Sequence, residues 1–271
     1  MRVLVTGAGG FIGWHLMEAL DGDGEAFIGD VADPADWRVY RRDYDALFHL
    51  AAMVGTEDSM HRPAEYVRAN VLGTAVMLDA MRDRVGRVVL ASSSAVYGNG
   101  VALSESTPRT PASVYGSTKV AQEDLVWMSG VSAVVLRLFS VYGPRQSNPY
   151  GGLVGILAAQ ILAGEPPWVT EDGHQRRDFV EVSDVCRAFI YALDSPEGVF
   201  NIGSGVATTV LELASALSHA LGGKPPYVTG KMRRGDVRDA VAVPTRADEV
   251  LDWRPDVTLN EGLEGYCRSL R

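Results

Sequence analysis

Short unbroken apolar runs recur along the first half of the chain. Val3-Leu-Val5, Ala46-Leu-Phe-His-Leu-Ala-Ala52, Arg87-Val-Val-Leu-Ala-Ser92 and Ala133-Val-Val-Leu-Arg-Leu-Phe139 each read as a buried strand of a parallel sheet. A further short strand covers 25–29 and ends at Asp30. Between the runs, apolar residues fall at helical spacing. They are Leu16, Met17 and Leu20 in 14–20, and Val67, Val71, Val76, Leu78 and Met81 in 66–81. A third helix is predicted over 112–128. Strand and helix in alternation predict an α/β fold with a parallel, doubly wound sheet.

The pattern changes after Val141. Gly143, Pro144, Pro149, Gly151 and Gly152 mark a break. A helix over 153–163, a Pro-Pro turn and short strands follow. Phe200-Asn-Ile-Gly-Ser-Gly205 reads as a strand running into a turn, and helices cover 209–221 and 263–270. Irregular segments after a regular sheet predict a smaller lobe that closes a cleft over the sheet's carboxyl edge. Ligands bind at that edge in open α/β sheets.

Composition narrows the partners. A chain of 271 residues, 46% of them hydrophobic, can bury a large core as one domain or two unequal lobes. A net charge of −9 argues against nucleic acid or an anionic membrane surface. Two cysteines, Cys186 and Cys267, form no disulfide framework. No apolar run has the length of a membrane span, and the chain starts with a strand rather than a signal peptide. A soluble, cytoplasmic protein is expected.

Three clusters carry candidate chemistry. Gly7, Gly10 and Gly13 stand three apart at the first strand-to-helix crossing. Glycines there permit a tight turn and let a pyrophosphate approach the backbone, and the helix that follows aims free N–H groups at the anion. Asp30 lies 17 residues after Gly13, near where an acidic residue receives adenosine ribose hydroxyls; a solvated turn aspartate is the alternative. Tyr115 and Lys119 stand four apart on a predicted helix, hence on one face. A lysine ammonium beside a phenol favours the phenolate and lowers the tyrosine pKa. Such a pair is also common on exposed helices. Ser92-Ser-Ser-Ala-Val-Tyr-Gly98 ends a strand at the cleft and offers either a hydroxyl to a substrate oxygen or a turn serine.

Taken in order and spacing, these motifs are similar to those of the extended short-chain dehydrogenase/reductase family, in its NAD-dependent nucleotide-sugar epimerase/dehydratase branch. The similarity covers nearly the whole chain. It includes Gly7-x-x-Gly10-x-x-Gly13, His49-Leu-Ala-Ala52, Asn70-Val-Leu-Gly-Thr74, Ser92-Ser-Ser-Ala-Val-Tyr-Gly98 and Tyr115-x-x-x-Lys119. It continues through Leu136-Arg-Leu-Phe-Ser-Val-Tyr-Gly-Pro-Arg145, Arg177-Asp-Phe-Val180, Phe200-Asn-Ile-Gly203 and Arg233-Arg-Gly-Asp236.

The resemblance implies a Rossmann-type fold with a smaller C-terminal substrate-binding lobe. The dinucleotide-binding part would be 1–139 and 178–202, the substrate lobe 140–177 and 203–271. Tyr115 would be the general base or acid on a sugar hydroxyl, with Lys119 tuning it and holding the nicotinamide ribose. Ser93 would be the catalytic hydroxyl. Gly7, Gly10, Phe11, Ile12 and Gly13 would meet the pyrophosphate of NAD. Asp30, Val31, Leu50, Ala51, Ala52, Asn70 and Phe139 would line the rest of the dinucleotide. Ser93, Ser140, Arg177, Arg233 and Asp236 would contact a nucleotide-diphosphate sugar; an arginine's planar, permanently charged fork suits a phosphate. A homodimer through helices at roughly 63–81 and 112–128 is implied as well.

Two departures from the family's pattern shape the expectation. Dehydratases of this branch carry an Asp-Glu pair directly after the catalytic hydroxyl; here Ser94 and Ala95 stand there, which argues against elimination of water. The stretch between Gly29 and Asp45 is short, so that Asp30 matches the ribose-binding position while Gly29-Asp-Val-Ala-Asp33 also matches a later adenine-contacting motif. Ser140 stands where many relatives have asparagine. The expected activity is C4 epimerisation of a UDP-hexose through a 4-keto intermediate. The alternatives are an NDP-keto-sugar reductase or dehydrogenase, or a dinucleotide-binding sensor without turnover.

Overall fold

The computed structural model describes residues 1–146, 152–231 and 235–270. Its first part runs β1 (Val3–Thr6), α1 (Phe11–Ala19), β2 (Gly24–Ala26), β3 (Ala46–His49), α2 (Thr56–His61), α3 (Pro63–Tyr66), α4 (Gly73–Met81), β4 (Val88–Ser93), β5 (Gly100–Leu103), α5 (Val114–Met128), β6 (Ala133–Leu138) and β7 (Ser140–Tyr142). The rest runs α6 (Leu153–Leu162), β8 (Trp168–Val169), β9 (Arg176–Glu181), α7 (Val182–Tyr191), β10 (Gly198–Ile202), β11 (Ala207–Thr209) and α8 (Val210–Leu221). It ends with β12 (Tyr227–Val228), β13 (Asp239–Ala242), α9 (Thr245–Leu251) and α10 (Leu259–Ser269).

Six strands form one sheet in the order β10-β6-β4-β3-β1-β2, every neighbouring pair parallel. Both faces are covered, which is why its strands are continuously apolar. Alternate residues of one strand serve opposite faces. Val3, Val5, Phe48, Val89 and Leu136 pack with Leu16 of α1 and Phe189 of α7; Leu4, Leu47, Val88, Leu90 and Val135 pack with Met77 and Met81 of α4.

The sheet stops early on one side. The common doubly wound order puts two strands beyond the first strand on the adenine side; here β2 alone lies beyond β1 and forms the edge. Where another strand would pass, a tight turn over Asp36–Val39 folds back. Trp37 stacks on Phe27 at 4.1 Å between ring centroids, and Tyr40 lies 4.9 Å from the same ring. The short interval after Gly29 therefore has a structural counterpart.

A second sheet, β11-β9-β13-β5 with β7 beside β9, lies over a separate core. That core joins α6, α8 and α10 through Leu157, Ile161, Leu213, Leu217, Leu263 and Tyr266. Helices α8 and α10 both open with reciprocal capping boxes, Thr209 with Glu212 and Thr258 with Glu261. The two cores share chain segments. Residues 178–181 lie in the second sheet, whereas Ala247, Leu251 and Trp253 belong to the core of the first.

The helix expected over 66–81 is continuous but not uniform. Between α3 and α4, Val67–Leu72 forms a π-helical stretch with Asn70 buried in its middle. Helix α7 lies where short strands were expected. Its apolar residues Val182, Val185, Cys186, Ala188 and Phe189 do follow helical spacing and are all buried.

Candidate active site

The site begins at the turn after β1. Gly7 takes a left-handed φ of +71°, and a Cβ there would stand 2.7 Å from the backbone nitrogen of Ala51. A Cβ on Gly13 would stand 2.1 Å from the Gly7 carbonyl oxygen. These two glycines thus let α1 and the 50–52 loop close onto the turn. Gly9 differs, because a Cβ built there meets nothing within 4 Å. Gly10 is the N-cap of α1, no side chain caps the first turn, and Phe11 and Ile12 open it. An open cradle beside an uncapped helix N-terminus fits the pyrophosphate of a dinucleotide.

The loop after β3 is held from below by a buried polar network. Thr6 Oγ1 lies 2.8 Å from His49 Nδ1 and accepts from Ala51 N–H at 3.2 Å. His49 Nε2 lies 2.9 Å from Thr74 Oγ1, which donates to the Asn70 carbonyl and accepts from Gln122 Nε2. Those roles assign the imidazole: Nε2–H donates to Thr74 and Nδ1 accepts from Thr6. Burial pushes the His49 pKa down to about 3, with the Lys119 charge adding to the effect. Asn70 uses its whole amide within the protein. Its Oδ1 accepts from Met53 N–H at 2.7 Å, and its Nδ2 donates to the Met53 carbonyl and to Thr118 Oγ1. It therefore fastens the Leu50, Ala51 and Ala52 loop to α5.

At the sheet edge, the Asp30 carboxylate is already engaged. Oδ1 accepts from Ala32 N–H at 2.9 Å, and Oδ2 accepts from Arg68 Nη2 at 2.6 Å. The hydrogen bond from Arg68 holds this carboxyl below its ordinary value. Val31 is buried where the Cβ direction of Gly73 would meet it at 2.7 Å.

Ser93, Tyr115 and Lys119 come together. Ser93 ends β4 and caps the turn that follows, accepting from Ala95 N–H at 3.2 Å. Ser113 caps α5 by accepting from Gly116 N–H at 3.1 Å. A Cβ on Gly116 would lie 2.4 Å from the Ala95 carbonyl oxygen, so this glycine lets α5 touch the Ser93 turn. The Tyr115 hydroxyl consequently hydrogen-bonds the Ser93 side chain, while Tyr115 N–H donates to Ser59 Oγ at 3.0 Å. Lys119 is buried, donates to the Ala91 carbonyl at 2.9 Å and lies 5.8 Å from the Tyr115 ring centroid.

The electrostatics differ from the expectation that Lys119 lowers the Tyr115 pKa. Burial raises Tyr115, and its bond to Ser93 only partly opposes this. Burial pushes Lys119 itself down to about 7, opposed by the Glu123 charge. A lysine only partly protonated at neutral pH supports a phenolate weakly.

On the substrate side, Arg177 and Asp236 form an ion pair at 2.6 Å. Arg177 also donates to the carbonyls of Arg176, Val237 and Arg238 through its two terminal nitrogens. Gly235 lies against α2 and the start of α5: its Cβ direction meets Met60 and Ser113 at 3.4 Å. The 235–239 segment thus runs from the mouth beside Tyr115 to β9. Ser140 is half-buried at the start of β7, and Phe139 packs with Val96, Tyr97 and Leu103. Arg233 lies outside the described residues.

Three contributors were not singled out from sequence. Ser59 on α2 had no periodic signal to announce it. Gln122 and Glu123 had one, since both follow Lys119 on the buried side of α5.

A family pattern described as the NAD dependent epimerase/dehydratase family matches residues 3–203. The chain belongs to that family. It is 35% identical over 304 aligned residues to the UDP-glucose 4-epimerase of Mycolicibacterium smegmatis, covering 97% of this chain and 96% of that one. That alignment is longer than the chain itself, so the relative carries residues with no counterpart here. It is also 30% identical over 302 residues to UDP-glucuronic acid decarboxylase 6 of Arabidopsis thaliana, covering 97% and 87%. The solved structure of MoeE5 in complex with UDP-glucuronic acid and NAD superposes with a TM-score of 0.92 at 35% identity, covering 100% and 99% of the two chains. The cofactor of this epimerase-family chain is NAD, and its α/β fold is the Rossmann-type fold of its relatives. No described helix is long and apolar enough to cross a membrane.

Proposed function

We propose that the protein is an NAD-dependent 4-epimerase of a UDP-hexose, acting through a 4-keto intermediate. The observation that carries this reading is the hydrogen-bonded Ser93–Tyr115 pair with Lys119 buried beside it. NAD, when bound along the glycine turn, supplies the acceptor and donor for the C4 hydride. Tyr115 removes the C4 hydroxyl proton and later returns one. Ser93 hydrogen-bonds the same sugar oxygen and keeps the phenol oriented. Lys119 contributes positive charge beneath the ring and reaches the cofactor ribose. The intermediate turns about its diphosphate and is reduced on its other face. Arg177 and Arg233 receive the diphosphate, with Asp236 near the nucleoside.

The residues after Ser93 favour epimerisation over dehydration, because neither Ser94 nor Ala95 can move a proton as a carboxylic acid would. The decarboxylase among the relatives supports a second reading, in which the 4-keto stage of a UDP-glucuronic acid loses carbon dioxide. The protein acts as a cytoplasmic homodimer through α3–α4 and α5. Exposed Val67, Leu72, Trp127 and Met128 on these elements support that assembly.

Tyr115→Phe tests the assignment. Turnover should fall by about 10²–10⁴-fold while NAD binding by calorimetry stays within about twofold. A variant that turns over like the wild type removes Tyr115 from the chemistry.

A further inference from the structure

One helical turn beyond Lys119, α5 carries a second buried ionisable group. Glu123 is 1% exposed, and both of its carboxylate oxygens are filled. Oε1 accepts from Ser92 Oγ at 2.5 Å and from Arg137 Nε at 2.9 Å. Oε2 accepts from Arg137 Nη2 at 2.7 Å and from Arg109 Nη1 at 3.3 Å. Arg137, on β6, is itself 4% exposed. Its Nη1 donates to the Tyr97 hydroxyl at 2.8 Å, which in turn donates to Asn201 Oδ1 at 2.7 Å.

The position of this carboxylate is what matters. It joins α5, which carries Tyr115 and Lys119, to β4 through Ser92, the residue directly before Ser93. A buried ion pair is seldom more stabilising than apolar residues of the same size. Fold stability alone is therefore a weak reason for Glu123. The groups facing Lys119 are few. Tyr115 and Glu123 come from α5, the Ala91 carbonyl from β4, and the neutral His49 from β3; Arg137 and Arg109 stand behind Glu123. Of the titratable side chains acting on Lys119, Glu123 is the one whose charge favours the ammonium.

We propose that Glu123 is a positioning residue that keeps Lys119 charged beneath Tyr115 and locks the Ser93 end of β4 against α5. The assignment of a catalytic purpose rests on the Ser93–Tyr115–Lys119 reading above. Arg137 supports the arrangement by holding the carboxylate in one orientation through Nε and Nη2, a bidentate geometry suited to guanidinium.

The chain contains three lysines, Lys119, Lys224 and Lys231, and the other two are exposed. Lysine-selective isotope labelling therefore allows Lys119 to be titrated directly by NMR in the intact protein, independently of turnover. Glu123→Gln keeps the size and an acceptor for Ser92 but removes the charge. The Lys119 midpoint should fall by at least about one pH unit, a tenfold loss of ammonium at pH above the midpoint. Arg109→Ala, at an exposed position, removes a competing cation and should move the midpoint the other way. A bridge with a purely structural role would lower the melting temperature and leave the Lys119 midpoint in place. An unmoved midpoint in Glu123→Gln overturns the inference; if that variant does not fold, an unmoved midpoint in Arg109→Ala does so. Because the titration needs no substrate, it can succeed even where Tyr115→Phe retains turnover, and the two assignments fail separately.

Discussion

Replacing Gly13 by alanine should unseat the turn on which the cofactor site is built. The added Cβ would lie 2.1 Å from the Gly7 carbonyl oxygen, 2.8 Å from its carbon and 2.9 Å from Ala8 Cα. All three are backbone atoms, so no flexible side chain can swing away. Relief requires α1 to move by about an ångström against a closely packed sheet, and overpacking of this kind costs about 1–3 kcal/mol. At about 2.1 cal/mol/K per residue, a chain of 271 residues unfolds with an entropy of about 0.6 kcal/mol/K. A cost near the upper end thus lowers the melting temperature by about 4–5 °C. Gly9→Ala is the matched control. Its φ is outside the left-handed region and a Cβ there meets nothing, so the melting temperature should hold or rise slightly. That same Cβ would fill the open cradle and weaken NAD binding. Thermal melts of both variants, with and without NAD, read out the difference. A Gly13→Ala melting temperature within about 1 °C of the wild type, or Gly9→Ala with unchanged NAD affinity, would refute this account of the turn.

Acid should loosen the fold through His49. Its folded-state pKa of about 3 lies below the ordinary 6.5, so the unfolded chain takes up a proton first. The stability held at neutral pH is lost as pH falls from about 6.5 towards 3, at up to about 1.4 kcal/mol per pH unit. Urea unfolding at several pH values should give a steeper decline for the wild type than for His49→Gln; equal slopes would remove His49 from the explanation. NAD should bind in preference to NADP, since Asp30 repels a 2′-phosphate. Arg68→Ala frees the Asp30 carboxylate and should widen that preference by about two- to fivefold, the scale of an exposed ion pair. Calorimetry with both dinucleotides measures the ratio, and a ratio unmoved by the mutation argues against Asp30 as a ribose contact.

Much of the sheet could be read from the chain because its strands are apolar on both faces. Val3 to Val5 and Val88 to Leu90 need no alternation to be found. Helix α5 was also legible: the helix expected over 112–128 is Val114–Met128. Helix α7 was missed although its period is clear, because the Gly- and Pro-rich segment before it suggested irregular structure. The π-helical turn at Asn70 was beyond reach, since the bonds from Asn70 to Met53 and Thr118 connect residues distant in sequence. The same limit applies to charge. Sequence spacing places Lys119 near Tyr115, but the raised Tyr115 pKa follows from burial in the folded chain.

The central claim is tested most directly by incubating the purified protein and NAD with UDP-glucose, UDP-galactose and UDP-glucuronic acid, and following products by NMR and mass. The account predicts interconversion of 4-epimers of unchanged mass, with no net accumulation of NADH. Steady NADH formation, or a product lighter by one carbon dioxide, would contradict it.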